Sequence, residues 1–416
     1  MEKNDLSKIP HYVKNKEECC GCGLCYEKCP KKAIRMLPDE YGFIYPVIEN
    51  EKCINCGICK KICGFNEEKL SSAEMCYAAA NQDQKLLKKS ASGGIFSAIA
   101  EEFLEDEGIV CGSQMLFSEG KAIVKHTTVD SKEELCKLQG SKYVQSDTQK
   151  IFESVTEKLK QGKKVLFSGT PCQVAAIKAC VGKKNAENLY TIDIICHGVP
   201  SIQFFNDYID YNFAKQKITL QDFSFRDKKY GWGLNGSFEG WNYSQSETSG
   251  KINPNISSYY RYFLKGEIYR ECCYHCPFAQ DHRGGDLTIG DYWGIEKYNS
   301  ELLDENGGPF RKYDGVSCII VNSEKGKQLL NDYGRLILKE KVKIENIKII
   351  NTQLKMPAIY SKLRKKILDR YAESGYSKVE SLFAKQRLIE KTKAAVKKGI
   401  KMVLPNSVVK KIKNSK

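Results

Sequence analysis

Residues 19–30 read Cys-Cys-Gly-Cys-Gly-Leu-Cys-Tyr-Glu-Lys-Cys-Pro, and residues 53–64 read Cys-Ile-Asn-Cys-Gly-Ile-Cys-Lys-Lys-Ile-Cys-Gly. From Cys19 and from Cys53, each segment follows the spacing C-x2-C-x2-C-x3-C. Doubled spacing of this kind is typical of proteins that bind two 4Fe–4S clusters. Two zinc knuckles are the alternative, but zinc takes four thiolates in two pairs and fits the doubled run less well. The sequence therefore predicts two cubane clusters.

The same spacing predicts which cysteines share a cluster. Three cysteines two residues apart lie on one tight loop, while the fourth begins a short helix and reaches the other cluster. One ligand set is then Cys19, Cys22, Cys25 and Cys63, and the other is Cys53, Cys56, Cys59 and Cys29. Cys20 is not expected to be a ligand. Residues 33–37 and 43–48 are predicted strands, which makes residues 1–70 an α+β ferredoxin-like dicluster domain.

Composition fits this assignment. The chain has 416 residues and 19 cysteines, and we expect several domains in a globular protein. Without an apolar N-terminal segment the expected location is cytoplasmic, where clustered cysteines indicate metal or redox chemistry rather than disulfides. The net charge is +15, and residues 385–416 contribute +10 of it through eleven Lys/Arg and one Glu. No nucleic-acid recognition motif accompanies this charge, so no nucleic-acid partner is expected.

A β–α–β unit follows in the body of the chain. Residues 164–167 and 190–195 are predicted parallel strands, and residues 173–181 are a predicted helix between them. Cys172 and Cys196 then lie at strand carboxyl ends, where open α/β sheets bind ligands. Further along, Cys273 and Cys276 form a C-x-x-C pair. The spacing leaves two interpretations open, namely a third four-thiolate site or two buried cysteines and an unrelated pair.

Two segments are candidates for contact with an anionic cofactor. Ser92, Gly93 and Gly94 precede a predicted helix over residues 95–104, whose exposed N–H groups could bind phosphate. An ordinary serine N-cap is the alternative interpretation of this segment. Lys142 lies among small polar residues in the second segment.

Ordered motifs across residues 75–340 make the chain resemble the coenzyme F-420 hydrogenase/dehydrogenase beta-subunit family. The resemblance is carried by Ser92-Gly93-Gly94, Gly140-Ser141-Lys142-Tyr143, Ser168-Gly169-Thr170-Pro171-Cys172-Gln173, Cys196-His197-Gly198-Val199-Pro200, Phe225-Arg226-Asp227-Lys228, Cys273-Tyr274-His275-Cys276-Pro277-Phe278 and residues 285–294 (GDLTIGDYWG). It implies an α/β flavin and iron–sulfur domain, with its N-terminal part over residues 71–160 and its C-terminal part over 161–345. It also implies FAD, contacted by Ser92, Gly93, Gly94 and Lys142. A third 4Fe–4S cluster is implied on Cys172, Cys196, Cys273 and Cys276, with Cys272 the alternative to Cys273.

The expected function is that of an iron–sulfur flavoprotein oxidoreductase. Electrons would pass from ferredoxin, a similar low-potential carrier or a deazaflavin, through the clusters to FAD and an unidentified substrate. Members of this kind are associated with surface-polysaccharide synthesis, which is association rather than chemistry. The alternatives are a non-catalytic electron-transfer subunit of a larger redox complex and a structural or sensing iron–sulfur module. No catalytic residue is assigned, and no G-x-G-x-x-G turn for a nicotinamide follows a predicted strand.

Residues 346–416 are expected to form a basic helical tail. Leu382, Ile389, Val396 and Val403 recur every seven residues on one predicted helix that Pro405 ends. Such a helix could bind an anionic surface at the inner face of the membrane, and the favoured alternative is a helix packed on the body with a solvated basic face.

Overall fold

The computed structural model describes residues 12–65, 70–183 and 185–403, with side chains described up to residue 395. At the N-terminus lies a small module of two one-turn helices and a hairpin. Its elements are α1 (Leu24–Glu27), β1 (Ile34–Pro38), β2 (Ile44–Ile48) and α2 (Ile58–Lys61). The strands pair antiparallel, which confirms the predicted hairpin. The helix prediction was wrong in position, because each short helix precedes the fourth cysteine of its repeat.

A mixed eight-stranded sheet forms the centre of the body. Its strands run in the order β13-β3-β12-β11-β7-β6-β4-β5. They are β3 (Met75–Asn81), β4 (Ile109–Ser118), β5 (Lys121–Val129), β6 (Val165–Gly169), β7 (Leu189–Ile194), β11 (Leu287–Asp291), β12 (Ser317–Val321) and β13 (Ile337–Lys341). A smaller antiparallel sheet contains β8 (Thr219–Ser224), β9 (Gly236–Trp241) and β10 (Glu247–Ile252).

Helices pack around these sheets. The first seven of the body are α3 (Gln84–Lys88), α4 (Ile95–Glu105), α5 (Ile151–Lys160), α6 (Pro171–Val181), α7 (Ile202–Asn212), α8 (Ser258–Leu264) and α9 (Ile295–Tyr298). The last four are α10 (Glu324–Asp332), α11 (Ile344–Ile350), α12 (Lys362–Ser374) and α13 (Tyr376–Val403). The predicted helix over residues 95–104 is confirmed by α4.

The predicted β–α–β unit is confirmed by β6, α6 and β7. The two strands pair in parallel, from Val165 against Leu189 to Gly169 against Asp193. Thr170 and Gln173 form a capping box at the start of α6, and Pro171 occupies its first turn, where no N–H is needed. The strands β4, β6, β7 and β11 all run in the same direction, because each adjacent pair is parallel. Their carboxyl ends therefore meet at one edge of the sheet.

The N-terminal module is packed tightly against the body. Phe43 and Tyr45 of the hairpin are buried in the same apolar core as Phe204 and Tyr259. A Cβ on Gly64 would lie 2.4 Å from the carbonyl oxygen of Ala175 in α6, so the two backbones touch there. Only glycine permits such an approach.

The helices α12 and α13 lie in the segment that was predicted to form a basic helical tail. The first half of α13 packs on the body through buried Tyr376, Val379 and Leu382. Further along, Leu388 and Ile389 are 66% and 45% exposed. The packed-helix interpretation therefore describes the first half of α13. The predicted side-chain stripe at Val396 and Val403, together with Pro405, lies outside the described residues.

Membrane crossing needs a helix of about 20 mostly apolar residues. Across residues 12–65, 70–183 and 185–403, no helix has both that length and that apolarity.

Candidate functional site

Cys19, Cys22, Cys25 and Cys63 line a small cavity inside the N-terminal module. Gly21 and Gly23 have φ angles of 67° and 77°, which let the loop turn tightly around the thiols. Burial raises the pKa of the Cys25 thiol, and the nearby Cys19 and Cys63 raise it further. These four cysteines, called the inner set, are the group that the spacing predicts for one cluster.

A second cavity is lined by Cys29, Cys53, Cys56 and Cys59, called the outer set. Cys56 is exposed, whereas Cys19 of the inner set is buried. Cys59 also borders the inner cavity, so the two sets are adjacent. The fourth cysteine of each repeat thus lies with the first three of the other. Four thiols around an apolar hollow are the donor set that a 4Fe–4S cluster requires, and ligation by these residues stays a prediction.

The structure also brings together Cys172, Cys196, Cys273 and Cys276, called the third set. Cys172 lies in the first turn of α6, Cys196 follows β7, and the pair comes from a 3-10 turn over Glu271–His275. Burial raises the pKa of Cys196, and the neighbouring Cys273, Cys172 and Cys276 raise it further. Burial likewise raises the pKa of Cys276 to about 12. These neighbouring thiols form a donor set that suits a cubane, and ligation by them stays a prediction.

Cys272 and Cys20 border this set without belonging to it in the predicted assignment. Cys273, but not Cys272, is among the neighbours that raise the pKa of both Cys196 and Cys276, which favours Cys273 as the fourth member of the set. Cys20 lines the inner cavity, and this neighbouring thiol, together with burial, raises the pKa of Cys172. Cys20 therefore lies between the inner set and the third set. The cysteine spacing in the sequence did not predict this position.

A cavity of about 430 Å³ opens at the carboxyl ends of β6, β7 and β11. That volume lies in the range of about 300–1,000 Å³ usual for small-molecule sites. Cys196 of the third set lies in its wall, next to His197. Three of the four predicted cofactor contacts also line it, namely Ser92, Gly94 and Lys142.

Matches to known families agree with this geometry. The model of the coenzyme F420 hydrogenase/dehydrogenase beta subunit matches in two parts, its N-terminal region at residues 76–153 and its C-terminal region at 162–348. The chain belongs to this family. A 4Fe-4S dicluster domain matches residues 18–66, which makes the chain an iron–sulfur protein of the redox type that the family name describes.

Other comparisons are more distant. A solved chain of the F420-reducing [NiFe] hydrogenase complex from Methanosarcina barkeri is 15% identical, with a TM-score of 0.44, over 74% of this chain and 96% of that one. No curated protein sequence matches the chain significantly.

Gly93 is the fourth predicted cofactor contact, and its backbone groups already form hydrogen bonds within the protein. Its N–H donates to Ser317 Oγ at 2.9 Å, and its carbonyl oxygen accepts the N–H of Asn81 at 2.6 Å. A Cβ at this position would lie 2.4 Å from the carbonyl oxygen of Ala79. Gly93 is therefore needed for backbone packing between the start of α4 and the sheet, and it does not line the cavity.

Lys142 contributes a partly buried amine to the cavity wall. Its Nζ donates to the carbonyl oxygens of Leu138 and Gln139 at 2.9 and 2.7 Å. Burial lowers the pKa of Lys142 to about 7, and distant Asp222 offsets this only in part. The side chain is thus poised to gain a proton when an anion enters the cavity.

Arg226 is a wall residue whose motif was noted in the sequence but given no role. Its guanidinium pairs with Asp291 through two hydrogen bonds of 2.9 and 3.0 Å and lies over the Trp293 ring. Trp232, stacked on Trp293, donates to the same carboxylate. Arg226 Nε and Ser113 Oγ are buried without a hydrogen-bond partner in the described chain. Neither atom is accessible from the cavity, because both are covered by protein.

Sequence reasoning missed His126 entirely. It stacks on Phe167, and burial lowers its pKa to about 4, so the ring is neutral near pH 7. Its Nε2 lies 3.2 Å from the carbonyl oxygen of Ser168 and its Nδ1 lies 2.9 Å from Ser146 Oγ. Gln173 in turn donates to Ser146. A buried polar chain thus runs from the cavity to the capping box beside Cys172.

The two histidines next to predicted ligands have different surroundings. His197 lines the cavity, and burial lowers its pKa. His275 is half exposed, and its Nε2 lies 3.9 Å from Glu17. Only His197 is therefore in a position to contact a bound cofactor.

Proposed function

We propose that the chain is an oxidoreductase that conducts single electrons from a low-potential carrier, such as ferredoxin, to an FAD held in the large cavity. The observation that carries the proposal is the continuity of the three cysteine sets. Cys59 borders both the inner and the outer cavity, Cys20 lines the inner cavity next to Cys172 of the third set, and Cys196 belongs to the third set and to the cavity wall. A path of adjacent redox positions thus leads from the exposed Cys56 to the cavity.

The volume of the cavity lies in the range usual for small-molecule sites, and its wall includes the basic side chain of Lys142, which supports a bound FAD. A flavin would supply the exchange between one-electron and two-electron chemistry that a cluster cannot perform. Lys142 and the start of α4, which no side chain caps, would hold the pyrophosphate. Trp293 in the wall offers an apolar surface to the cofactor.

Lys142 makes FAD binding dependent on pH. Because the amine has a pKa of about 7 when the cavity is empty, binding of a pyrophosphate above that pH takes up a proton. We expect the affinity to fall by up to about tenfold for each pH unit above 7. Lys142→Met should bind at least about tenfold more weakly at pH 7 and show a flat profile, measured by fluorescence titration of the flavin-free protein.

The matched control is Lys325→Met. Lys325 is half buried, and burial lowers its pKa, but it binds the carbonyl oxygens of Ala186 and Glu187 away from the cavity. The same reasoning gives a check on stability. Between pH 7 and 10.5 the unfolded chain binds a proton at Lys142 that the folded chain has lost, so the flavin-free protein should gain stability as pH rises. If the FAD affinity of the wild type did not change with pH, and Lys142→Met bound FAD normally, Lys142 would not be a contact of the pyrophosphate.

The electron path is tested by stopped-flow absorbance under anaerobic conditions. We expect reduced ferredoxin to bleach the flavin band quickly and NADH or NADPH to bleach it little. The G-x-G-x-x-G run at residues 231–236 leads into β9 rather than into the helix that a nicotinamide site requires. Cys22→Ser and Cys56→Ser should slow the ferredoxin route by at least about tenfold, while reduction by a reduced deazaflavin at the cavity stays unchanged. Cys136→Ser, at an exposed cysteine outside the three sets, is the control. Rapid bleaching of the flavin by NADH, at the same rate in wild type and in the cysteine variants, would refute the proposed electron path through the clusters.

The second candidate is a non-catalytic electron-transfer subunit, which the family description as a beta subunit favours. Substrate turnover by the isolated chain distinguishes the two, since only the enzyme would show it. A bound flavin would count against a structural or sensing module. A cytoplasmic location, membrane binding by the tail and a role in surface-polysaccharide synthesis stay predictions from the sequence.

A further inference from the structure

The outer set lies at an exposed part of the N-terminal module. Cys56 is exposed, and the isoleucines on either side of it, Ile54 and Ile58, are 58% and 39% exposed. In contrast, the inner set is covered by the body, where Thr148 donates to the carbonyl oxygen of Cys22. Two exposed isoleucines beside an exposed thiol form a small apolar centre. That is the arrangement expected where a redox partner approaches a cluster closely.

Lysines surround this apolar centre. Within three residues of the outer-set cysteines the sequence has six lysines, Lys28, Lys31, Lys32, Lys52, Lys60 and Lys61, and two glutamates, Glu27 and Glu51. Glu27 is turned toward the body, where its carboxylate accepts the N–H of Glu153. Lys31, Lys32, Lys60 and Lys61 are exposed. The local charge around the outer set is therefore positive.

We propose that this outer face, made of Ile54, Cys56, Ile58, Lys31, Lys32, Lys60 and Lys61, is the docking surface for an acidic one-electron carrier protein. The inference rests on the proposed function and adds the location and the charge of the partner. One electron passes at each encounter, so the carrier is oxidised by one electron and the outer cluster is reduced by one, with no proton or group transferred. A small apolar centre with a charged rim suits a transient redox complex, whose buried area is usually below about 1,200 Å².

Charge complementarity selects a protein with an acidic surface as the occupant. Opposite charges raise association rates by about 10- to 1,000-fold at low ionic strength, and salt removes the advantage. An anionic membrane is the competing occupant. Two isoleucines give little apolar area to insert between lipids, so we favour the protein carrier.

The experiment compares two double variants of the full chain with intact clusters. Lys31→Glu/Lys61→Glu reverses two charges on the outer face, and Lys339→Glu/Lys341→Glu makes the same charge change on the exposed edge strand β13. Each protein is mixed with a chemically reduced, strongly acidic bacterial ferredoxin, and the second-order rate of cluster reduction is followed. The outer-face variant should be slower by at least about tenfold at low salt and equal to wild type at high salt. The β13 variant should match wild type throughout.

Two further measurements separate the possible failures. Reduced methyl viologen, a small donor, should reduce all three proteins equally, and their iron contents should agree. If ferredoxin reduced both variants at equal rates, independent of salt, the outer face would not be the docking surface, and the proposed function would still stand. Failure of ferredoxin to reduce even the wild type, while viologen succeeds, would overturn the function itself. Loss of binding to anionic phosphatidylserine vesicles in the outer-face variant, with an unchanged ferredoxin rate, would assign the face to a membrane instead.

Discussion

Serine in place of Cys273 and Cys276 is expected to leave the protein with about eight of about twelve irons per chain. Both thiols belong to the third set, and their loss leaves Cys172 and Cys196 as two ligands where a cubane needs four. The inner and outer sets use no residue of the third, so their clusters should persist. Iron and sulfide analysis after anaerobic reconstitution measures the loss, and electron paramagnetic resonance shows which signals remain.

Two single variants serve as controls for this experiment. Cys318→Ser replaces a fully buried thiol that donates weakly to the carbonyl oxygen of Gly290, and it should keep about twelve irons. Cys272→Ser should do the same, because Cys272 is not among the thiols that raise the pKa of Cys196 or Cys276. Wild-type protein with about eight irons would refute the third cluster. Loss of about four irons from Cys272→Ser but not from Cys273→Ser would shift the ligand by one position.

The inner and outer sets could be predicted from spacing because their geometry is local. Three thiols on one loop are confined by a few bonds, and the exchange of the fourth cysteine follows from the short chain between the repeats. The third set is different, since more than a hundred residues separate Cys172 from Cys276. The β6–α6–β7 rule could place Cys172 and Cys196 at one sheet edge. The spacing left open whether the C-x-x-C pair joins them, and the family resemblance favoured the single four-thiolate site.

Other features depend on contacts that no short motif encodes. Gly93 was expected in a phosphate-binding turn, but the approach of β3 and β12 from distant parts of the chain fixes its role. His126 stands alone on β5 in the sequence, and its neighbours Ser146 and Ser168 come from other segments. Alternation on an edge strand indicates that a side chain points inward, but it does not say what that side chain meets.

Arg270 is the strongest case of a residue that sequence reasoning passed over. It is 0% exposed, and it holds the module to the body through three acceptors. Nε donates to the carbonyl oxygen of Cys19 at 3.0 Å, Nη1 to Gln145 at 3.0 Å, and Nη2 to the carbonyl oxygen of Ile44. The guanidinium also lies 4.1 Å from the centre of the Tyr45 ring. Within residues 12–65, 70–183 and 185–403, no carboxylate forms an ion pair with it.

A buried cation without a carboxylate is costly unless other negative charge offsets it. The inner set and the third set would supply that charge when they hold clusters, because clusters with four thiolates are anionic. Arg270 would therefore stabilise the reduced state of both clusters, in which the negative charge is greater. We expect Arg270→Met to make both reduction potentials more negative by at least about 59 mV, which is a tenfold change in a one-electron equilibrium. Redox titration followed by electron paramagnetic resonance measures this shift.

Folding has to be separated from the electrostatic effect of this change. Arg270→Met leaves up to three buried acceptors without a donor, each costing about 1–3 kcal/mol, so the free energy of unfolding should fall. Arg261→Met is the control, because Arg261 is buried and bound to Glu390 away from the cysteine sets. It should lose stability without any change in potential. Arg270→Lys keeps the charge but not the forked hydrogen bonds, and we expect a potential near the wild-type value together with reduced stability. Equal reduction potentials in wild type and Arg270→Met, at full iron content, would show that Arg270 only stabilises the packing of the N-terminal module on the body.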